Sequence, residues 1–145
     1  MEWEKPPAVT VMHLYKNSLL LGTAKQHVIA FSDAKTPKIE RMALQYQQHY
    51  LLKGIKYEPM RHSYQGLLVV DSSGIYKGLG THQKVLLRTS PKIHLEELIR
   101  HVKPETIIAD GSNFPIHVAR WKKTCSKLKV HFHHTATQGD YPLNW

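Results

Sequence analysis

The sequence predicts an α/β protein in which an antiparallel amino-terminal meander precedes a β-α-β-α-β unit. Three observations predict this class. Short runs of β-branched and aromatic residues, separated by turn residues, fill the first third of the chain. A stretch of helical periodicity follows, and strand and helix patterns then alternate towards the end. Strands that alternate with helices of this length form parallel neighbours, because a helical crossover brings the chain back to the starting edge of the sheet.

The first third of the chain is expected to form three antiparallel strands. They lie at Val9 to Tyr15, Leu19 to Ala24 and His27 to Ser32, with polar turn residues between them. A helix is expected from Pro37 to Lys53, because apolar residues recur there at helical spacing. Gly54 is expected to cap the carboxyl end of that helix.

Two short strands are expected in the middle of the chain. Ile55 to Tyr57 is predicted to be an edge strand, whereas Gly66 to Asp71 is an apolar run that ends in an acid, as buried strands often do. The segment from Ser72 to Gly80 contains three glycines and is expected to form a turn or a hairpin.

The second half of the chain alternates strands with helices. Ser90 and Pro91 are typical of a helix start, and Pro104 is typical of the residues that follow a helix. The expected elements are, in order, a strand from Lys84 to Thr89, a helix from Ser90 through Val102, a strand from Thr106 to Ala109, a helix from Phe114 to about Leu128 and a strand from Val130 to His133.

Length and composition favour one soluble domain over residues 1–145, with residues 1–7 as a disordered start. The chain is long enough for one hydrophobic core and too short for two. Its uncharged apolar runs are far shorter than the roughly 20 residues of a membrane span, and its start, MEWEKPP, lacks the apolar centre of a signal peptide. The single cysteine, Cys125, excludes an internal disulfide and the multi-cysteine zinc motifs.

The chain is strongly basic, with 20 Lys and Arg against 11 Asp and Glu and a formal net charge of +9. Such a charge attracts polyanions and anionic membrane surfaces without specificity. The densest group of cations lies on and just after the last predicted helix and comprises Arg120, Lys122, Lys123, Lys127 and Lys129. Two interpretations remain open: a solvated helix face, or a surface that contacts a nucleic-acid phosphate backbone.

The turn Asp110-Gly111-Ser112-Asn113 also has two interpretations. In the functional one, Ser112, Asn113 and the free amides of the helix start bind an anion, while Asp110 positions a proton or a metal ion. In the structural one, Ser112 or Asn113 caps the helix, Gly111 permits the tight turn, and Asp110 accepts hydrogen bonds from it. The chain has neither a P-loop lysine nor a GxGxxG pattern at this turn, which argues against a nucleotide site.

Histidines and aromatic residues of the last third suggest further chemistry. His131 and His133 would point to the same side of a strand, but two imidazoles without a third ligand make a weak metal site, and no metal is expected. Trp121 and Cys125 lie four residues apart on one helix face and are expected to pack in the core. A nucleophilic cysteine would need an adjacent base, which spacing alone does not identify.

The carboxyl-terminal third resembles the C-terminal region of ComEC-type competence proteins, in the form found in the Bacteroidetes group. The resemblance rests on the segments KPETIIADGSN, RWKKTC and KVHFHH and a following glycine. The matching residues are Asp110, Ser112, Asn113, Trp121, Lys122, Lys123, Cys125, His133 and Gly139. Gly139-Asp140-Tyr141 departs from the Gly-Ala-Phe-like terminus of that family, whose members are membrane channels of natural DNA uptake.

In its wider relatives this region resembles a metallo-β-lactamase-type domain, which implies two stacked sheets between helices in an αββα arrangement. The metal chemistry of that fold rests on an HxHxDH loop after an early strand. Here the corresponding strand, GLLVVD, is followed by no histidine before His82. Without that ligand set a binuclear zinc site has no means of generating a hydroxide, so the resemblance implies a shortened, metal-free relative with no catalytic residues and no cofactor.

The resemblance thus implies a non-catalytic, soluble and periplasmic domain of an inner-membrane DNA-uptake channel, and makes this chain a fragment of a larger membrane protein. Its implied partners are the transmembrane channel portion of the parent protein and single-stranded DNA, with no small-molecule cofactor. The alternative hypothesis, from another class, is a metal-dependent phosphoesterase or nuclease that uses His131, His133 and Asp110.

Overall fold

The computed structural model describes residues 5–78 and 82–144, and these residues form two five-stranded sheets and four helices. The strands are β1 (Val9–Met12), β2 (Leu19–Ala24), β3 (His27–Phe31), β4 (Gly54–Glu58), β5 (Ser63–Tyr64), β6 (Leu67–Val70), β7 (Lys84–Leu87), β8 (Thr106–Ala109), β9 (His131–His134) and β10 (Tyr141–Leu143). The helices are α1 (Pro37–His49), α2 (Leu95–Val102), α3 (Pro115–Leu128) and α4 (Thr135–Gln138). Among the described residues, no helix combines the length and the apolar character needed to cross a membrane.

The first sheet has the strand order β10-β1-β2-β3-β4. The meander β1-β2-β3 is antiparallel, as predicted, and β4 is the expected edge strand. The pairing of β3 with β4 is parallel because α1 connects them as a crossover, so the amino-terminal half is not antiparallel throughout. The last described strand, β10, pairs antiparallel with β1 and completes this sheet from the other end of the chain.

The second sheet has the order β5-β6-β7-β8-β9, and β6 to β9 are all parallel. This pairing confirms the parallel β-α-β-α-β unit expected for the second half of the chain. The register aligns Leu87 of β7 with Ala109 of β8, and Ala109 with His134 of β9. The carboxyl ends of these three strands therefore meet at one edge of the sheet, where α/β proteins bind ligands.

The two sheets pack face to face between outer layers of helix, so the α/β class and the αββα layering are confirmed. Alternation along the strands produces this arrangement, because successive side chains point to opposite faces. Leu20 packs between the sheets with Leu67, Leu86 and Ile108, all of them fully buried. Each such side chain contributes about 1.5–3 kcal/mol when it is removed from water.

The helices cover the two outer faces of the sheets. On the first sheet, Leu19 and Leu21 pack against Ile39 and Ala43 of α1. On the second sheet, Leu68, Val85 and Ile107 belong to a cluster that includes buried residues of α2 and α3. Helices α1 and α3 therefore occupy opposite outer layers of the domain.

Two helix boundaries differ from the prediction. Helix α1 ends at His49 with Tyr50 as its C-cap, and Gly54 begins β4 instead of capping the helix. The reason is tertiary, because the backbone amide of Lys53 donates to Gln26 before β3 and draws the chain into the sheet.

Helix α2 begins at Leu95 and not at Ser90. The backbone amide of Ser90 donates to the side chain of Asn113, and the Ser90 hydroxyl accepts from the amide of Phe114. Ser90 also has a left-handed φ of 49°, so these contacts hold it in a turn that a helix cannot include.

Three short elements were not predicted: β5, α4 and β10. Each has two to four residues, which is too few for a hydrophobic period to be recognised. The predicted disordered start of residues 1–7 includes residues 1–4, and the predicted turn from Ser72 to Gly80 includes residues 79 and 80; these positions lie outside the described residues.

Candidate functional site

The polar turn that follows β8 lies at the carboxyl edge of the second sheet, beside the residues that follow β7. Asp110 Oδ1 accepts hydrogen bonds from the amide and the hydroxyl of Ser112, at 3.1 and 2.5 Å. The hydroxyl oxygen of Ser112 in turn accepts from the amide of Thr89 at 2.8 Å. The turn therefore connects the ends of two parallel strands through side-chain hydrogen bonds.

Asn113 makes a second connection between the same strand ends. Its side-chain nitrogen donates to the carbonyl oxygen of Leu87 at 2.7 Å, and its side-chain oxygen accepts from the amide of Ser90 at 2.8 Å. Neither Asn113 nor Ser112 caps α3, whose N-cap is Phe114 without a side-chain hydrogen bond. The structural interpretation of the turn was therefore wrong about capping, because both side chains bind the neighbouring β7 segment instead.

Gly111 is the point at which the turn contacts the first sheet. A Cβ atom placed there would overlap the carbonyl group of Leu14, which follows β1. The carbonyl oxygen of Gly111 accepts a hydrogen bond from the amide of Lys16 at 2.8 Å. Only glycine fits at this position, and the requirement comes from a close approach of two backbones.

Asp110 is fully buried, and its Oδ2 atom has no hydrogen-bond partner among the described residues. Burial raises its pKa, against the opposing effects of Ser112, of the nearby Ser18 hydroxyl and of Arg88. Ser18 Oγ approaches this carboxyl group without a bonding geometry, and it too lacks a partner. An enclosed carboxyl group of this kind is out of reach of a bound anion or a hydrated metal ion.

The three residues of the hydrolase hypothesis do not meet at one point. His131 pairs with Thr106 at the start of β8, whereas Asp110 follows the end of that strand. Thr106 and Asp110 are four residues apart along an extended strand, which corresponds to a distance of about 13 Å. The imidazole of His133 is buried and lies 2.7 Å from the carbonyl oxygen of Gly139, with its Nε2 in hydrogen-bond contact. In the described ranges, no group of three or more His, Cys, Asp and Glu side chains is arranged to hold a metal ion.

Trp121 and Cys125 lie in the core between α3 and the second sheet. Trp121 is buried and Cys125 is fully buried, in one cluster with Val118. Burial raises the pKa of the Cys125 thiol to about 12. A thiol with that pKa is protonated at neutral pH and is not a nucleophile.

The cations of the last helix are all exposed to solvent. Arg120, Lys123 and Lys127 follow one another at spacings of three and four residues and so lie along one side of α3. Lys122 lies on the flank towards β9, where it contributes to lowering the pKa of His134. Lys129 follows the helix as its C-cap residue. Among the ion pairs of the described residues, only the one between Lys127 and Glu96, at 3.6 Å, involves this group.

A cleft of about 500 Å³ lies next to the polar turn, and no sequence pattern predicts it. Its lining comes from the β1–β2 loop, the polar turn, the start of α3, the end of β9 and helix α4. The lining residues are His13, Tyr15, Lys16, Gly111, Ser112, Asn113, Phe114, Pro115, His134 and Ala136. The only sequence signal was an aromatic residue beside a cation in a turn, Tyr15-Lys16, and its significance depends on the distant segment that it meets.

Comparison with known proteins identifies one family. The model of the ComEC C-terminal domain matches residues 9–145, which is nearly the whole chain. No curated protein matches, and neither does any solved structure.

Proposed function

The chain belongs to the ComEC C-terminal domain family, and on that premise we propose that it is a non-catalytic domain of a membrane channel protein for DNA uptake. The membership itself suggests a role in DNA uptake and a place in a larger membrane protein. We further propose that the domain lies on the periplasmic side of the inner membrane. There it packs on the transmembrane channel portion and contacts the single strand of DNA.

The resemblance to the Bacteroidetes form and to metallo-β-lactamase domains belongs to the same proposal. The αββα layering is consistent with a shortened relative of that fold. The donor set does not fit a zinc site, because Asp71 after β6 already accepts hydrogen bonds from Ser73 and Asp110 is enclosed. We therefore propose no reaction step that uses a metal ion. DNA degradation that EDTA abolishes would contradict this part of the proposal.

One observation carries the proposed DNA contact: four of the five exposed cations on and after α3 have no ion-pair partner among the described residues. Three of the cations, Arg120, Lys123 and Lys127, lie along one side of the helix, where they can follow consecutive phosphates. A purely solvated helix more often mixes charges of both signs along such a face. Between Pro115 and Leu128, α3 carries no Asp or Glu.

The proposal is tested by the binding of fluorescently labelled single-stranded DNA at low and high salt. Phosphate contacts release counterions, so affinity should fall steeply between about 50 and about 300 mM salt. If the strand binds no better at the lower salt concentration, the proposed DNA contact is lost and only a scaffolding role in the channel protein remains.

A further inference from the structure

The cleft beside the polar turn has two aromatic side chains at its margin that fold stability does not explain. Tyr15 is 70% exposed and Phe114 is 66% exposed, although large apolar groups are normally buried. They come from segments almost a hundred residues apart in the sequence and line the same cleft. Isolated exposed aromatic residues need no explanation, but two at one cleft suggest a ligand.

Backbone contacts hold the two aromatic residues in place. The amide of Lys16, the residue after Tyr15, donates to the carbonyl oxygen of Gly111 in the polar turn. At the other side, the amide of Phe114 donates to the hydroxyl of Ser90 at 2.8 Å. The segments that carry the rings are therefore hydrogen-bonded to the ends of two neighbouring strands, through Gly111 after β8 and Ser90 after β7, before any ligand arrives, which lowers the entropic cost of binding.

The lining of the cleft carries one cation, Lys16, and no Asp or Glu. The pKa of His134 in the lining is lowered, chiefly by burial, so its imidazole is uncharged at neutral pH and offers a hydrogen-bonding group instead of a charge. Two carboxyl groups lie behind this lining: Asp140 accepts a hydrogen bond from the backbone amide of His13 at 2.6 Å, and the buried Asp110 accepts from Ser112. The ammonium group of Lys16 lies 5.3 Å from the centre of the Tyr15 ring, so one cation and one ring form a single contact surface.

Aromatic rings next to a cation, with no acidic group in the lining, match the chemistry of an unpaired nucleotide. A base stacks on an aromatic ring whatever its sequence, and the adjacent phosphate requires a cation. A base pair inside a duplex offers no free face to such a ring. The cleft volume of about 500 Å³ falls in the range of small-ligand sites and suits one or two nucleotides.

We propose that Tyr15 and Phe114 stack on bases of single-stranded nucleic acid while Lys16 contacts the neighbouring phosphate, so that this cleft makes the domain selective for single strands over duplexes. The inference rests on the proposed DNA contact and deepens it. The basic side of α3 would supply affinity for any phosphate backbone, and Lys122 of this helix interacts electrostatically with His134, which lines the cleft. The cleft would discriminate between single-stranded and double-stranded nucleic acid.

The test compares three probes: an oligothymidylate of roughly 12 nucleotides, an abasic strand of the same length, and a duplex of the same length. Anisotropy titrations at one low salt concentration use the wild-type domain and the variant Tyr15→Ala/Phe114→Ala. We expect the wild type to bind oligothymidylate most tightly, and the double variant to lose about tenfold in affinity for that probe alone. Because both side chains are exposed, the variant should keep the thermal unfolding midpoint of the wild type.

Two further variants serve as controls. Tyr15→Phe/Phe114→Tyr keeps both rings and should retain wild-type binding. Ile75→Ala removes an apolar side chain of similar exposure, 61%, that does not line the cleft, and should also retain wild-type binding.

Three outcomes would contradict the proposals. Equal binding of oligothymidylate and the abasic strand by the wild type, with salt-sensitive affinity for both, would overturn the stacking proposal and leave the phosphate contact intact. Unchanged oligothymidylate binding in the double alanine variant would also overturn it, and would leave the two rings as a surface for a protein partner. Absence of binding to all three probes would contradict the proposed DNA contact itself.

Discussion

Gly111 lies directly against the carbonyl group of Leu14, and this contact joins the polar turn of the second sheet to the end of the first strand. The neighbouring hydrogen bond from the amide of Lys16 to the carbonyl oxygen of Gly111 fixes the same approach. Gly111 and Lys16, which make this hydrogen bond, both line the cleft. There is no room for a methyl group at residue 111. The closest atoms are the carbonyl oxygen and carbon of Leu14, which belong to the backbone and cannot rotate away.

Replacing Gly111 by Ala is therefore expected to destabilise the domain by about 2–3 kcal/mol, since the added methyl group must push the two backbones apart. The free energy of unfolding in urea measures the effect. Gly54→Ala is the matched control, because a Cβ there meets only the ring of His27, a side chain that can shift. Equal stability of the two variants would show that the contact at Leu14 is not tight.

Asn113 provides the second prediction. The change Asn113→Ala removes the hydrogen bonds to the carbonyl oxygen of Leu87 and to the amide of Ser90 and leaves both backbone groups without this partner. We expect a loss of about 2–4 kcal/mol in the free energy of unfolding. Gln45→Ala, on the exposed side of α1, should cost less than about 0.5 kcal/mol. A small effect of Asn113→Ala would mean that the strand ends are held together by packing alone.

The burial of Asp110 predicts a specific pH dependence. Its pKa is raised in the folded protein, so the folded state holds a proton that the unfolded chain has released. Asp110 therefore lowers stability as the pH rises through and above its unfolded pKa of about 3.9. Asp110→Asn cannot ionise, so its free energy of unfolding should increase relative to that of the wild type as the pH rises from about 4 to about 7.

Asp71 is the control for this pH dependence, because its pKa is shifted the other way. Partial burial acts to raise it, but the hydrogen bonds from Ser73 outweigh that effect and the pKa is lowered. The contribution of Asp71 to stability is present above its unfolded pKa and is lost as the pH falls through its folded pKa. Urea titrations at several pH values should give Asp71→Asn a trend opposite to that of Asp110→Asn. Parallel trends would contradict the buried state of Asp110.

Cys125 gives a prediction about reactivity. A thiol whose pKa is raised to about 12 has roughly a thousandth of the thiolate of an ordinary cysteine at pH 8. Labelling with a disulfide reagent should therefore be at least about a thousandfold slower in the native protein than in denaturant. Labelling of native Cys125 at the rate of the unfolded chain would show that the thiol is accessible and would reopen a nucleophilic role.

Local patterns predicted most of the secondary structure, and long-range contacts decided what they missed. The strand Thr106–Ala109 was predicted with its observed bounds, because a short apolar run between polar residues has no competing structure. The helical period of α3 was also clear, to within one residue of its start. In contrast, Gly54 had the local features of a helix cap, and only its pairing with His27 shows that it begins a strand.

The candidate site was predictable in part. The polar residues after β8 were identified from their position at a strand end, but their partners, Leu87, Thr89 and Ser90, come from the previous β7 segment. A sequence pattern does not show which of two local roles, capping or cross-linking, a side chain adopts. The cleft was not predictable for the same reason, because the exposure of Phe114 is a property of the assembled sheets.

The proposed contact between the basic side of α3 and the phosphates of single-stranded DNA should be visible in the salt dependence of binding. The variant Arg120→Gln/Lys123→Gln/Lys127→Gln removes three cations from α3. The control Lys38→Gln/Arg41→Gln/Lys56→Gln removes the same charge from exposed positions on α1 and β4, in the other half of the αββα arrangement.

The quantity to measure is the slope of log affinity against log salt concentration for one labelled strand. Each phosphate contact contributes about −0.7 to that slope for single-stranded DNA, so loss of three contacts should make it shallower by about 2. We predict this change in the α3 variant and an unchanged slope in the α1/β4 control. The same slope in both variants would contradict the proposed contact, because it would mean that the strand responds to net charge and not to a surface on α3.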